Sequence, residues 1–364
     1  MIYSLKSRQI CLFFIAFLPV TKFFLMPSIV SSYSLEDTWI SLVLNLAIDF
    51  ITIFLLVKLT KDEKRNFFQI LEDWIGKIPC KIVLILYLIY FMIKAIMPIS
   101  EQIDYVTFTL YMTTTSKIFF IPFFVIPIYL STKKLRVIGR CADAVWLFAV
   151  IGYILIFALS IGNVDLGAIL PIGKAGAKNV AMGSFSVLNW FGDCAYFIFF
   201  IGNYKNEKND NKKIILSYAL SLFIVLIFGF TFWCSFSSIA FRQRFALTEI
   251  SKYMTVINNI GRFDYFAIFF LLFCGAISVS LPVFFSSILF NRIFDIKKTY
   301  IAPILLTAVI IYVTIFLADY FASIESIITT KLGVVFFIFG NVLPIIIAFF
   351  SKLSRGKNYE IQEN

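Results

Sequence analysis

Four ionisable side chains fall near the middle of long apolar runs: Lys22, Asp49, Lys94 and Asp193. Lys22 lies about 12 residues into the first run, which at about 1.5 Å per residue is roughly 18 Å deep. A stem of four methylenes does not easily carry its ammonium back to water from there. An unpaired charge near the bilayer centre costs roughly 3 kcal/mol on insertion scales, so such a group faces a cavity or a partner rather than lipid. Two positive and two negative groups balance in formal charge, and pairing across helices is the economical arrangement, with Asp49 and Asp193 as candidate partners of Lys22. Two roles are open to the set. Either the pairs only fix helix register, or one or more members face a substrate cavity or carry a proton.

The elements that position these charges are themselves interrupted. Residues 10–30, ICLFFIAFLPVTKFFLMPSIV, are long enough to cross a bilayer but contain Pro19 and Pro27. Each proline removes a backbone donor and clashes with the preceding turn. The run 181–202 carries Gly183, Ser184, Ser186, Asn189, Gly192 and Asp193 on an otherwise apolar background. Glycine and small hydroxyls permit local unwinding, and helix packing through small residues is the competing explanation. The expectation is two discontinuous helices whose freed backbone groups line a mid-membrane site. Around breaks at Pro19, Lys22 and Gly183, bare amides of a half-helix would hold a carboxylate. Thr21, Ser184, Ser186 and Asn189 would hydrogen-bond polar groups, and Phe17, Phe185 and Trp190 would form an apolar wall.

Of 364 residues 60% are hydrophobic, 18% aromatic and 15% charged, which is the composition of a polytopic membrane protein. Ten apolar segments have spanning length: 10–30, 39–58, 82–103, 118–131, 142–162, 181–202, 213–235, 264–290, 300–320 and 332–351. Continuous hydrophobicity without a period of two argues for helices, not a barrel, and the first run is read as a retained span. Of 32 Lys and Arg, 22 fall on the side of the termini and eight on the other, with Lys22 and Lys94 inside, so both termini are expected to be cytoplasmic. The net charge of +11 is thus topology, and no nucleic-acid binding is read into it.

Spans one and six hold the same place in two halves of five, and an odd number gives the halves opposite topology. The expected fold is therefore all-α, integral to the membrane, a single domain of ten helices in a 5+5 inverted repeat: 1–162, 181–351, and a cytoplasmic tail 352–364. Residues 61–78 place Phe67, Phe68, Leu71, Trp74, Ile75 and Ile78 at helical spacing, as an amphipathic helix on the cytoplasmic surface. In the long loop 236–262 Thr248 reads as the N-cap of a short helix with Ile250, Tyr253, Met254 and Ile257 on one stripe. Glu101, Asp104, Asp143 and Asp319 near span ends read as structural. Histidine is absent, and cysteines 11, 80, 141, 194, 234 and 274 lack CxxC spacing, so no metal, disulfide framework or cofactor is indicated.

Several short motifs resemble the spore germination permease family, the B subunits of GerA-type germinant receptors in the amino acid–polyamine–organocation superfamily. They are Lys6-Ser7-Arg8-Gln9, Asp37-Thr38-Trp39-Ile40, Trp74-Ile75-Gly76-Lys77, Arg140, the stretch Asp165 to Gly173, Thr248-Glu249-Ile250-Ser251-Lys252-Tyr253, and Arg262-Phe263-Asp264. The family's usual proline before that threonine is Ala246 here. The resemblance implies a leucine-transporter-type fold and a small-molecule germinant, often an amino acid, bound at the broken first and sixth helices. It also implies partner A and C subunits in the inner membrane of a dormant spore.

Three functions compete. A germinant sensor would bind a nutrient and shift conformation; a secondary amino-acid transporter of the same fold would couple flux to protons through Asp193 or Asp49. A membrane enzyme of surface-polysaccharide synthesis is disfavoured. Without histidine its only external cluster is Arg242, Arg244 and Glu249, which a solvated loop face explains.

Overall fold

The computed structural model describes residues 5–108, 120–205, 207, 209–252 and 264–363. Long apolar runs in lipid must satisfy every backbone group internally, and the described chain does so with helices. In order they are α1 (Ser7–Phe17), α2 (Met26–Ser34), α3 (Thr38–Leu59), α4 (Phe67–Ile75), α5 (Lys77–Val106), α6 (Val125–Thr132), α7 (Leu135–Ser160) and α8 (Gly176–Ser186). There follow α9 (Ala195–Phe200), α10 (Asp210–Phe236), α11 (Ala246–Lys252), α12 (Asp264–Ile293), α13 (Ile301–Ile311), α14 (Ala318–Lys331), α15 (Gly333–Phe337) and α16 (Leu343–Glu363). The described β structure is one parallel pair, Leu5–Lys6 with Tyr204–Lys205, which ties the start of α1 to the chain leaving α9.

Six stretches are long and apolar enough to cross a membrane: Met26–Leu59, Lys77–Val106, Leu135–Asn163, Asp210–Arg242, Leu272–Ile293 and Gly333–Ser354. Each overlaps one of the expected spans, while Phe120–Thr132 and Ile301–Phe316 are shorter apolar helices at the fourth and ninth. The first and sixth expected spans are each divided, into α1 with α2 and α8 with α9. α12 lies along α5 and α6, α3 along α10, and α1 between α7 and α10, so α1 is enclosed by long helices.

The amphipathic segment is shorter than its sequence pattern and faces protein, not lipid. Asn66 caps α4 by accepting from the Gln69 amide at 3.0 Å, the Gln69 side chain returns the bond to the Asn66 amide, and Gly76 at φ +79° ends the helix. Phe67 and Leu71 are fully buried, and the Phe67 ring stands 4.5 Å from that of Phe199. Trp74 stacks on Phe350 at 4.4 Å, whereas Ile78 belongs to α5 and is exposed. A hydrophobic stripe measures the need for an apolar neighbour and does not say which one.

The loop before α4 is pinned by Glu63. Its carboxylate takes Arg65 Nε at 3.0 Å, Arg65 Nη2 at 2.9 Å and the Ser351 hydroxyl, and Arg65 also donates to Ser351 O and Ser354 Oγ. Burial would push this carboxyl up, but the hydrogen bonds from Arg65 and Ser351 outweigh it and hold it at about 2, against an ordinary 4.5. A depressed carboxyl contributes its stability fully above the unfolded value and loses it as pH falls toward the folded one. Melting of the solubilised chain should therefore decline between about pH 4.5 and about pH 2. Glu63→Gln should melt lower at neutral pH and show a smaller decline over that window.

Thr248 is not an N-cap. α11 begins two residues earlier, at Ala246, because the Ala246 amide is already satisfied by Phe24 O at 3.1 Å. The expected continuation of that helix through Tyr253, Met254 and Ile257 lies outside the described residues.

Candidate ligand-binding site at two helix breaks

A break frees carbonyls on one side and amides on the other, and all must be satisfied at membrane depth. In the first break α1 stops at Phe17, Val20–Lys22 form one 3₁₀ turn, and α2 starts at Met26. Pro19, having no N–H, cannot continue the ladder. Side chains take up three of the freed carbonyls. Tyr153 Oη donates to Ala16 O at 2.7 Å, Ser278 Oγ to Phe17 O at 3.1 Å, and Thr21 Oγ1 and Lys22 Nζ to Leu18 O at 3.1 and 3.2 Å.

The second break runs from Ser186 to Ala195, through a 3₁₀ turn at Leu188–Trp190. Lys94 on α5 collects its carbonyls: Nζ lies 3.2 Å from Asn189 O, 3.5 Å from Trp190 O and 2.7 Å from Phe191 O. Tyr90 Oη donates to Gly192 O at 3.1 Å, and the Gly192 amide donates to the Asp49 carboxylate at 3.2 Å. Gly192 has φ +80°, and a Cβ there would stand 2.9 Å from Gly340 Cα and 3.2 Å from Tyr90 Oη. Only glycine combines that left-handed backbone with so close an approach.

The four deep charges meet here. Asp193 bridges both lysines, with Oδ1 3.0 Å from Lys94 Nζ and Oδ2 hydrogen-bonded to Lys22 Nζ, and all three side chains are buried. Lys22 is thus paired with Asp193 and not with Asp49. Asp49 is occupied by the Gly192 amide and by Tyr218 Oη at 3.1 Å. The charges stitch α3, α5 and the two breaks together.

Beside them is a small cavity of about 20 Å³. Of the expected ligand-binding residues, Thr21, Asn189 and Trp190 line it, together with Lys94 and Asp193. Met97, Pro98, Glu101 and Tyr196 also line it and were not anticipated there. Glu101 is 1% exposed and accepts from Trp190 Nε1 at 2.9 Å. A space of about one probe sphere admits a single water, so this conformation is too tight for an amino acid.

The other expected site residues stand elsewhere. Ser184 Oγ donates to Asn45 Oδ1 at 3.1 Å, Asn45 Nδ2 donates to Ser184 O at 2.9 Å, and Ser41 Oγ donates to Val180 O at 2.9 Å. Gly183 lies against Ser34 and Ser41, so this stretch clamps α8 to α2 and α3 through small residues. Ser186 Oγ turns back to Gly183 O, Phe185 is 42% exposed, and Phe17 is fully buried against Phe13. Pro19 and Lys22 shape the first break without lining the cavity. A larger groove of about 760 Å³ opens at Lys58, Lys61, Lys64 and Lys212, with neither break in its lining.

The short sequence motifs turn out to be clamps. Asp37 takes the amides of Gly173 and Ala175 at 2.7 and 2.9 Å, which fastens the loop entering α8 to the start of α3. Asp143 holds Arg8 at 3.0 Å and Gln9 Nε2 at 2.8 Å, which fastens the start of α1 to α7. Tyr253, Arg262 and Phe263 lie outside the described residues, and no side-chain placement is described for Asp264. The comparison with curated proteins gives no match. The family model for spore germination proteins matches residues 5–322, a stretch that holds both breaks, all four deep charges and every clamp just named. The chain is a helical membrane protein that belongs to the spore germination permease family.

Proposed function

We propose that this protein is the membrane subunit of a spore germinant receptor and binds a small nutrient, an amino acid in class, between the two helix breaks. The single observation that carries this reading is the convergence of both interrupted helices on one small cavity, with Thr21 from one and Asn189 and Trp190 from the other. The ten expected spans are arranged as two inverted sets of five, 1–162 and 181–351, with both termini in the cytoplasm of the dormant spore. The breaks are the natural moving part, because their backbone is held by side chains from α3, α5, α7 and α12 rather than by a helical ladder. A nutrient that enters widens the cavity, favours the widened state and changes the population that the A and C subunits read.

Spores whose receptor carries Thr21→Leu with Asn189→Leu have this cavity filled. They should need at least about 10-fold more nutrient to germinate, equal to about 1.4 kcal/mol of lost binding, at unchanged protein level in the spore membrane. A wild-type dose response would remove the site.

A second reading is favoured by the two carboxylates at the moving break. In it the chain is a proton-coupled amino-acid transporter, with Asp49 or Asp193 as the carrier. Uptake into proteoliposomes that vanishes with Asp49→Asn supports it, and absence of flux from a binding-competent protein leaves the sensor.

A further inference from the structure

We infer that the cavity takes its ligand through a primary ammonium group, held by Glu101 and Asn189. This rests on the cavity being the nutrient site and assigns the side chains that hold the nutrient's amine.

Glu101 follows Lys94 by seven residues on α5, two helical turns, and so lies on the same face. One carboxyl oxygen is occupied by the Trp190 indole. The other, Oε2, is buried without a hydrogen-bond partner, with the Leu25 amide alongside. Asn189, 3% exposed, likewise has its Oδ1 buried without a partner, while its Nδ2 faces Met97 Sδ at 3.8 Å. Both residues line the cavity. The nearby ammonium groups are already engaged, since Lys22 and Lys94 both bond to Asp193. Among the described ion pairs none includes Glu101.

The cavity therefore presents two idle acceptors. The group that matches them brings donors only, and a primary ammonium has three donors and no acceptor. A carboxylate brings only acceptors beside Glu101, and a hydroxyl brings a single donor to two acceptor oxygens. Beyond Glu101, Glu325 on α14 and Asp104 lie within electrostatic reach of one another, and Arg244 is bound to Asp104 at 3.1 Å. Met97 and Trp190 supply the apolar wall, and the unbranched Met97 adapts to a small aliphatic tail.

The test uses the full chain in lipid nanodiscs and titration calorimetry with L-alanine, L-valine and L-leucine. Each is compared with its decarboxylated amine (ethylamine, isobutylamine, isoamylamine) and its deaminated acid (propionate, isovalerate, isocaproate). At least one amine-bearing probe should bind, its deaminated counterpart should bind at least about 100-fold more weakly, and Glu101→Gln should weaken it at least about 10-fold. Melting is followed in parallel, and Asn189→Ala carries the same test if Glu101→Gln does not fold.

A deaminated acid that binds as well as its amino acid overturns the ammonium assignment and leaves the nutrient site standing. So does amine binding unchanged in Glu101→Gln and Asn189→Ala, including the case where melting falls without loss of affinity. Binding by no probe overturns both the assignment and the nutrient site.

Discussion

Asp193→Asn should be the most damaging single substitution in the protein. It leaves the ammonium groups of Lys22 and Lys94 facing a neutral amide in a site where all three side chains are buried. Breaking a buried ion pair by removing one partner costs about 3–5 kcal/mol, and here one carboxylate serves two cations. The variant should accumulate poorly in membranes, and whatever is purified should melt well below wild type. A second change separates charge imbalance from lost contacts. Adding Lys22→Met restores the formal balance, with Lys94 still held by the Asn189, Trp190 and Phe191 carbonyls. The double variant should recover part of the lost melting temperature, whereas Asp193→Asn combined with a distant neutral substitution should not. Wild-type stability of Asp193→Asn would show that the two lysines are not neutralised by this carboxylate.

Gly192→Val acts through the backbone rather than through charge. The residue sits at φ +80°, where a non-glycine residue costs about 1–2 kcal/mol. The added side chain also meets Gly340 in the π-helical turn Ile338–Val342, whose Cα is 2.9 Å from the new Cβ position. Overpacking of this kind adds about 1–3 kcal/mol. The break then either straightens or pushes the last span away, and in both cases the Gly192 amide leaves Asp49. Loss of about 2–5 kcal/mol in chemical unfolding, together with loss of nutrient response, is the expected result. Gly173→Ala is a useful control, since it shares a positive φ of 85° but has nothing within 4 Å of its Cβ position. It should lose only the backbone part.

Both substitutions fall where the sequence was most readable, and for the same reason. A charge or a helix breaker inside a long apolar run is costly, so its presence at Lys22, Asp193, Pro19 or Gly192 announces a special arrangement before any coordinates exist. The pairing itself was not legible. Lys22 and Asp193 are 171 residues apart, and the choice between Asp193 and Asp49 depends on which carboxylate the Gly192 amide claims. The place of Glu101 beside the cavity was not legible, because hydropathy gives the extent of a span and not which residues of its face line a cavity. α5 runs 30 residues from Lys77 to Val106, about 45 Å, and Glu101 stands near its end. The seven-residue spacing from Lys94 was the available signal.

Gly183, Ser184 and Ser186 looked like a binding surface because small polar residues serve helix packing and ligand contact with equal ease. Only the positions of Asn45, Ser34 and Ser41 decide between the two. For α4 the apolar face was legible, and its neighbour was not. The hydrophobic stripe at Phe67 and Leu71 is equally satisfied by lipid or by the aromatic cluster around Phe199, and the cluster is what covers it.

The most direct measurement is an experimental density map of the full chain in lipid nanodiscs, with and without a saturating nutrient amino acid. It should show helix interrupted at 18–25 and 187–194, the Asp193 carboxylate between Lys22 and Lys94, and added density bounded by Thr21, Glu101 and Asn189 in the liganded state only. Continuous helix through either interval, or ligand density away from both, would contradict a nutrient site at the paired breaks.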